Sequence, residues 1–254
     1  MPDKDLFMEL RDYAVIAAAV AGVAGLALSL ITLLMKGEEN RRTIRSQLTD
    51  VLARLNVVNA ESRKYRIETA ETGLNPEKRA MFSFYNDQRA FFVGQARYLM
   101  DQLPDHVSDS EFGLVAKALG AIGDHELACH YWEMCLERSP SDHVRGMHSR
   151  GFGGYLFGEG YPELGRFRFK SGVALIAGTS DQRRFHRVET YLRWAAAERF
   201  AGFFSEAKEV LDKAMVEASL IRSQSVQNRC AQTIREYGEE LPQLEVRASN
   251  QAMS

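Results

Sequence analysis

Cysteine is scarce in this 254-residue chain. There are three, Cys129, Cys135 and Cys230, an odd number whose spacing suggests no disulfide framework. Charge of one sign is not in excess either. Thirty-two Lys and Arg against 34 Asp and Glu leave a formal net charge of -2, so there is no global basic field to hold a nucleic-acid backbone, and no nucleic-acid partner is expected. From residue 76 onward no period-two strand pattern of convincing length occurs, which excludes a β-sheet core. The phosphate-binding glycine loop that ends in Gly-Lys-Ser/Thr is missing, as is the Gly-x-Ser-x-Gly nucleophile elbow. The one stretch approaching a metalloprotease motif, His125-Glu126-Leu127-Ala128-Cys129-His130, has cysteine where the second histidine should stand. Neither catalytic, cofactor-binding nor metal residues are assigned, and the chain is expected not to be an enzyme.

The most informative absence is local. Residues 13–35, YAVIAAAVAGVAGLALSLITLLM, carry no charge over 23 residues between Asp12 and Lys36. A helix of about 20 apolar residues spans a hydrocarbon core of roughly 30 Å. A cleaved signal peptide fits poorly, because its apolar core is only about 7 to 15 residues and its leading segment is basic. Here Asp3, Asp5, Glu9 and Asp12 outnumber Lys4 and Arg11, and Lys36-Gly37-Glu38-Glu39 makes a poor cleavage site. The expectation is a short tail over 1–12 and a single transmembrane helix over 13–35, in a bacterial inner membrane. Lys36, Arg41, Arg42 and Arg45 follow the span, so the positive-inside rule favours a cytoplasmic C-terminal domain by a small margin, with the reverse orientation open. The basic residues could also touch anionic head groups. Small residues recur every fourth position, Ala14, Ala18 and Gly22 on one ridge and Ala17, Ala21 and Gly25 beside it, a pattern that lets membrane helices approach closely.

A charged helical stalk is expected over 36–72. Ile44, Leu48, Val51, Leu55, Val58, Ser62 and Tyr65 step by alternating fours and threes, the a/d seam of a coiled coil. Ala18, Gly22 and Gly25 with Ile44, Leu48, Val51, Leu55 and Val58 are therefore candidates for self-association as a homo-oligomer. An amphipathic helix folding back onto the C-terminal domain needs the same stripe. Asn75 and Pro76 then suit the N-cap and first position of a helix over 76–103, rich in Phe and Tyr, which Pro104 stops. Ser108 and Glu111 form a capping box for the next helix. The domain from 75 to 241 reads as all-α, with a flexible tail over 242–254.

Three segments align: Gly123-Asp-His-Glu-Leu-Ala128, Gly160-Tyr-Pro-Glu-Leu-Gly165 and Gly202-Phe-Phe-Ser-Glu-Ala207. Each sets glycine at an inter-helix turn and a small residue five positions later. A large apolar residue follows (Trp132, Phe169, Leu211), then another small one (Cys135, Gly172, Ala214). With these residues the chain resembles the tetratricopeptide repeat family, as degenerate units at about 109–142, 146–178 and 188–221. In the third unit Glu198 stands where that family usually has an aromatic. The resemblance implies an α-solenoid of antiparallel helix pairs, capped by a helix from Ser225 to about Leu241. It also implies that the first helix of each pair lines a concave, partner-binding groove. Met147, Arg150, Gly154, Phe157, Leu192 and Arg199 would face that groove. Arg184 and Arg187 lie in the basic run that leads into the third unit. Such basic residues could hold an acidic segment or a C-terminal carboxylate. The function expected is a single-pass membrane scaffold or adaptor binding other proteins or peptides. Two alternatives stay open: a structural subunit of an obligate membrane complex, and a domain outside the cytoplasm acting as a chaperone-like or envelope-complex adaptor.

Overall fold

The computed structural model describes the backbone of residues 4–69 and 75–252, and the side chains of residues 36–69 and 75–241. Among these residues all regular structure is α-helical: α1 (Lys4–Glu68), α2 (Pro76–Asp101), α3 (Asp109–Ala121), α4 (His125–Glu137), α5 (Asp142–Gly158), α6 (Pro162–Leu175), α7 (Asp181–Phe200), α8 (Phe204–Ser219) and α9 (Gln224–Ala252). The fold class is all-α, as the sequence implies.

Local chemistry sets the helix starts. Asn75 Oδ1 accepts from the Lys78 amide at 2.8 Å, with Pro76 inside the first turn. Ser108 and Glu111 close a reciprocal capping box on α3. Ser141 and Ser180 cap α5 and α7. Because Ser180 opens α7, the basic run from Arg183 to Arg187 lies inside that helix and not ahead of it.

The helix ends reveal the repeat. Gly123, Gly160 and Gly202 follow α3, α5 and α7 with φ of 86°, 82° and 85°. The next amide in each case, from Asp124, Tyr161 or Phe203, donates to the carbonyl five residues back, on Leu119, Leu156 or Glu198, at 3.0, 2.9 and 2.9 Å. This is one Schellman turn built three times, and the left-handed backbone it needs costs glycine little.

Packing follows the same period. Through short turns, α3 pairs with α4, α5 with α6 and α7 with α8. In addition α1, α3, α5, α7 and α9 each touch the next in that series, whereas the backbones of α4, α6 and α8 stay apart, Arg168 of α6 reaching Glu133 of α4 by its side chain alone. The odd-numbered helices therefore form an inner layer and the even-numbered ones splay outside it. Ring stacking repeats between units: Trp132 of α4 lies parallel to Phe152 of α5 at 5.7 Å, and Phe169 of α6 to Trp194 of α7 at 5.8 Å. Small residues bring α5 and α6 into backbone contact at two crossings, Gly146 with Gly172 and Gly153 with Gly165. Gly151 seats the Trp132 ring, so this glycine-rich stretch serves helix packing.

The stretch expected as a separate stalk is the first inner helix of the stack. Ile44, Leu48, Leu52 and Leu55 are buried in one core with Val93, Ala96, Leu99 and Met100 of α2 and Phe112, Val115 and Leu119 of α3. Val51 packs half-buried at its edge, and Val58 is 5% exposed. The heptad stripe is thus occupied within the chain, and Ile44, Leu48, Val51, Leu55 and Val58 are not free to pair with a second copy. The physical reason is α2: it turns back after residue 75 and supplies its own apolar face, which satisfies the seam locally. Arg89, also buried, donates across the pair to Asn59 Oδ1 and within α2 to Asn86 Oδ1, both at 2.8 Å.

At the far end α9 covers α7 and α8 as the expected cap. Its backbone is helical to Ala252, through most of the 242–254 stretch expected as a flexible tail. Among the described residues no helix is long and apolar enough to cross a membrane. The span assigned to 13–35, with Ala18, Gly22 and Gly25, falls on side chains outside the described residues.

Candidate partner-binding face

The inner layer carries a group of cations contributed one per unit: Lys117 from α3, Arg150 from α5 and Arg193 from α7. Helical phase places them there, since the opposite faces of the same helices carry the buried Phe112, Phe152, Val188 and Ala195. The Lys117 ammonium lies 5.8 Å from the Trp132 ring centroid. Arg150 Nη1 is 3.4 Å from Glu189 Oε2, and its side chain is 11% exposed. Arg193 is exposed and, among the described residues, makes neither an ion pair nor a hydrogen bond.

The three cations feel one another. Burial lowers the Lys117 pKa below its ordinary value, and the charges of Arg193 and Arg150 lower it further. Burial and Arg193 likewise lower that of Arg150, while Glu189 opposes them. Glu189 pairs with Arg150, and the mutual repulsion of the three cations marks positive potential on a partly desolvated surface, where a bound carboxylate gains more than in bulk water.

The expected groove residues divide. Arg150 lies on this face, and Met147 and Leu192 are half-buried beside it. Phe157 does not face the groove: it is 5% exposed, belongs to the second core and packs 6.0 Å from Phe169. Its ring fills the space that Gly165 leaves open. Three of the arginines hold the fold together. Arg187 donates to the Ile176 and Gly178 carbonyls and to Glu217 at 2.7, 2.9 and 2.9 Å. Arg184 reaches the Thr179 carbonyl at 3.2 Å and lies 3.8 Å from Glu217. Arg199 pairs with Glu240 of α9 at 2.7 Å and lies over the Tyr237 ring. Basic residues near turns and caps meet backbone carbonyls and neighbouring acids, a demand that residue type alone does not reveal.

No protein-family model, curated protein or solved structure shows significant similarity to this chain. The face therefore has to be read from its own geometry. Lys117 escaped the sequence reading because it stands alone in its segment. The repeat alignment carries no signal for it, because matching Gly123 to Gly160 sets Lys117 against Gly154 and not Arg150.

Elsewhere, His125 Nδ1 lies 2.7 Å from Glu159 Oε2 and 3.1 Å from the Tyr155 hydroxyl. Cys129, one turn on, is half-buried. Among the described residues no three His, Cys, Asp or Glu side chains are grouped to hold a metal ion. Cys135 is fully buried, and burial with the nearby Asp109 pushes its thiol up to about 12, which leaves it almost wholly protonated at neutral pH.

Proposed function

We propose that this chain is a single-pass membrane adaptor of tetratricopeptide-like architecture. It receives acidic segments of partner proteins on the inner face of α3, α5 and α7. The observation that carries the reading is the group of Lys117, Arg150 and Arg193, one cation from each of these three helices, of which Arg150 is paired with Glu189. Such spacing suits an extended peptide crossing successive units, its carboxylates meeting successive cations. The continuity of α1 supports the anchor, because one helix runs from the apolar segment into the stack and would hold the binding face at a fixed distance from the bilayer.

The test is fluorescence anisotropy of a labelled peptide rich in Asp and Glu, titrated with the full chain in lipid nanodiscs. The double variant Lys117→Glu, Arg193→Glu should bind at least tenfold more weakly, and a length-matched neutral peptide should not bind. Equal affinity for the variant and the parent chain would remove this face from the proposal. Release of the chain from membranes by alkaline carbonate would remove the anchor and leave the face standing.

A further inference from the structure

The outer face of α2 carries a second heptad stripe. Met81, Phe84, Gln88, Phe91, Gln95 and Tyr98 step by three and four along one side of the helix. They lie away from the side that buries Val93, Ala96 and Met100. Phe84, Phe91 and Tyr98 are 52%, 61% and 69% exposed. At roughly 200 Å² per aromatic side chain, these rings hold about 350 Å² of surface in water. A patch of that size on one helix marks an interaction surface more often than chance exposure. Ala80, Ala90 and Gly94 lie around the rings, with exposed Asp87 at one edge between Phe84 and Phe91. Above Gly94 the space is open, so a partner backbone can approach closely there.

Nothing within the described chain covers this face. The helix packs on α1 and α3 and reaches α4 through Arg97, which meets the Tyr131 hydroxyl, and α9 closes the opposite end of the stack. A membrane surface is a poor occupant. The contacts between α1 and α2 run antiparallel, with Arg89 on Asn59 and Tyr65 against Phe82 at 5.6 Å. The stripe therefore lies along α1 and, if α1 crosses the bilayer, stands along the membrane normal.

We propose that the α2 stripe is the self-association surface of this protein and that its occupant is a second copy of the chain. The heptad spacing is self-complementary about a two-fold axis parallel to α2, which sets Phe84, Gln88, Phe91 and Gln95 each against its own equivalent. Two copies held in one membrane by α1 share the orientation this axis demands, and co-tethering raises their effective concentration. The rings supply close to half of the roughly 800 Å² per partner in an ordinary stable interface. The rest of the area has to come from Met81, Gln88, Gln95 and the exposed small residues Ala80, Ala90 and Gly94 along the same side. The parallel orientation, the co-tethering and the exclusion of a membrane surface rest on the anchor reading given above; the stripe itself does not.

Disulfide scanning tests this with the full chain in its membrane. In a Cys129→Ser background, Gln88→Cys and Gln95→Cys should each oxidise to a same-residue dimer. Ala174→Cys, exposed on α6, should remain monomeric. The pair Phe84→Glu, Phe91→Glu should halve the mass of the detergent-solubilised particle by light scattering without loss of helicity. Three results overturn the proposal: an unchanged mass in that variant, no more linking at 88 and 95 than at 174, or, when the two variants are mixed, a link from 88 to 95 in place of the same-residue links, which means antiparallel pairing. If alkaline carbonate frees the chain while the 88 and 95 links persist, the anchor fails and the dimer stands.

Discussion

Arg166 of α6 grips Glu198 of α7 with both prongs of its guanidinium, Nε to Oε1 at 2.8 Å and Nη2 to Oε2 at 2.7 Å. The Trp194 indole N–H donates to the same carboxylate at 2.7 Å, and Glu198 is 1% exposed. Hydrogen-bonding to Glu198 and its charge hold the arginine protonated well above its ordinary range. A buried ion pair adds little over an apolar pair of the same shape, yet breaking one side strands a charge. Arg166→Met should therefore cost about 3 kcal/mol in chemical denaturation. The equivalent positions in the other two units are Leu119 and Leu156, and Phe152 stands where unit three has Trp194. The triple variant Arg166→Met, Glu198→Leu, Trp194→Phe copies that apolar arrangement and should recover most of the loss. Equal stability of the single and triple variants would show that the network does not act as a unit.

Close approach of α5 and α6 makes a second expectation. A methyl group on Gly146 would meet the Gly172 carbonyl oxygen at 2.7 Å and Ile176 at 2.8 Å. Overpacking of this kind costs roughly 1 to 3 kcal/mol, more than the ~1 kcal/mol that alanine gains over glycine in a helix. Gly154, on the inner face of the same helix, has its nearest neighbour, Phe169, at 4.0 Å. Gly146→Ala should lower the melting temperature while Gly154→Ala raises it slightly. Opposite signs within one helix separate backbone contact from helix propensity.

These two cases show what the sequence made legible. The turn glycines at 123, 160 and 202 and the stacked large residues could be found by alignment, because a Schellman turn and an inter-helix ring stack each demand a particular residue type. Caps at Asn75 and Ser108 were legible for the same reason. The partner of an amphipathic stripe was not: the seam from Ile44 to Val58 fits a second copy or a helix of the same chain equally well by periodicity. Long-range charge pairing was equally hidden. Arg187 and Arg199 read as free cations until Glu217 and Glu240 are seen beside them. Phe157 was misplaced because a one-position rotation separates the groove-facing side of α5 from the side that fills the space over Gly165.

His143 of α5 and His186 of α7 stack 4.8 Å apart, with Nε2 of one 2.9 Å from Nδ1 of the other. Burial lowers the His143 pKa, and Arg183 and His186 lower it further. The unfolded chain then binds a proton that the folded chain resists. Stability should therefore rise with pH up to the ordinary histidine value near 6.5 and fall as pH drops below it. Melting scans between pH 5 and 7.5 should show that loss, and His143→Gln should flatten it. An unchanged slope in the variant would move the effect to another group.

The cation group on the inner face predicts its own pH profile. In the free chain, burial, Arg193 and Arg150 hold the Lys117 pKa below its ordinary value of 10.5. An anionic peptide landing there reverses the electrostatic part and raises the pKa in the complex. Binding is then tightest where Lys117 is charged in both states, and it weakens as pH climbs past the free-chain value toward that of the complex. Anisotropy titrations between pH 7 and 10.5 should show affinity for an acidic peptide falling earlier than an unperturbed lysine would dictate. Lys117→Arg, charged throughout this range, should hold affinity to higher pH, and Lys117→Met should be weak and flat. If all three chains lose affinity together, the titrating group lies on the peptide or elsewhere on the inner helices.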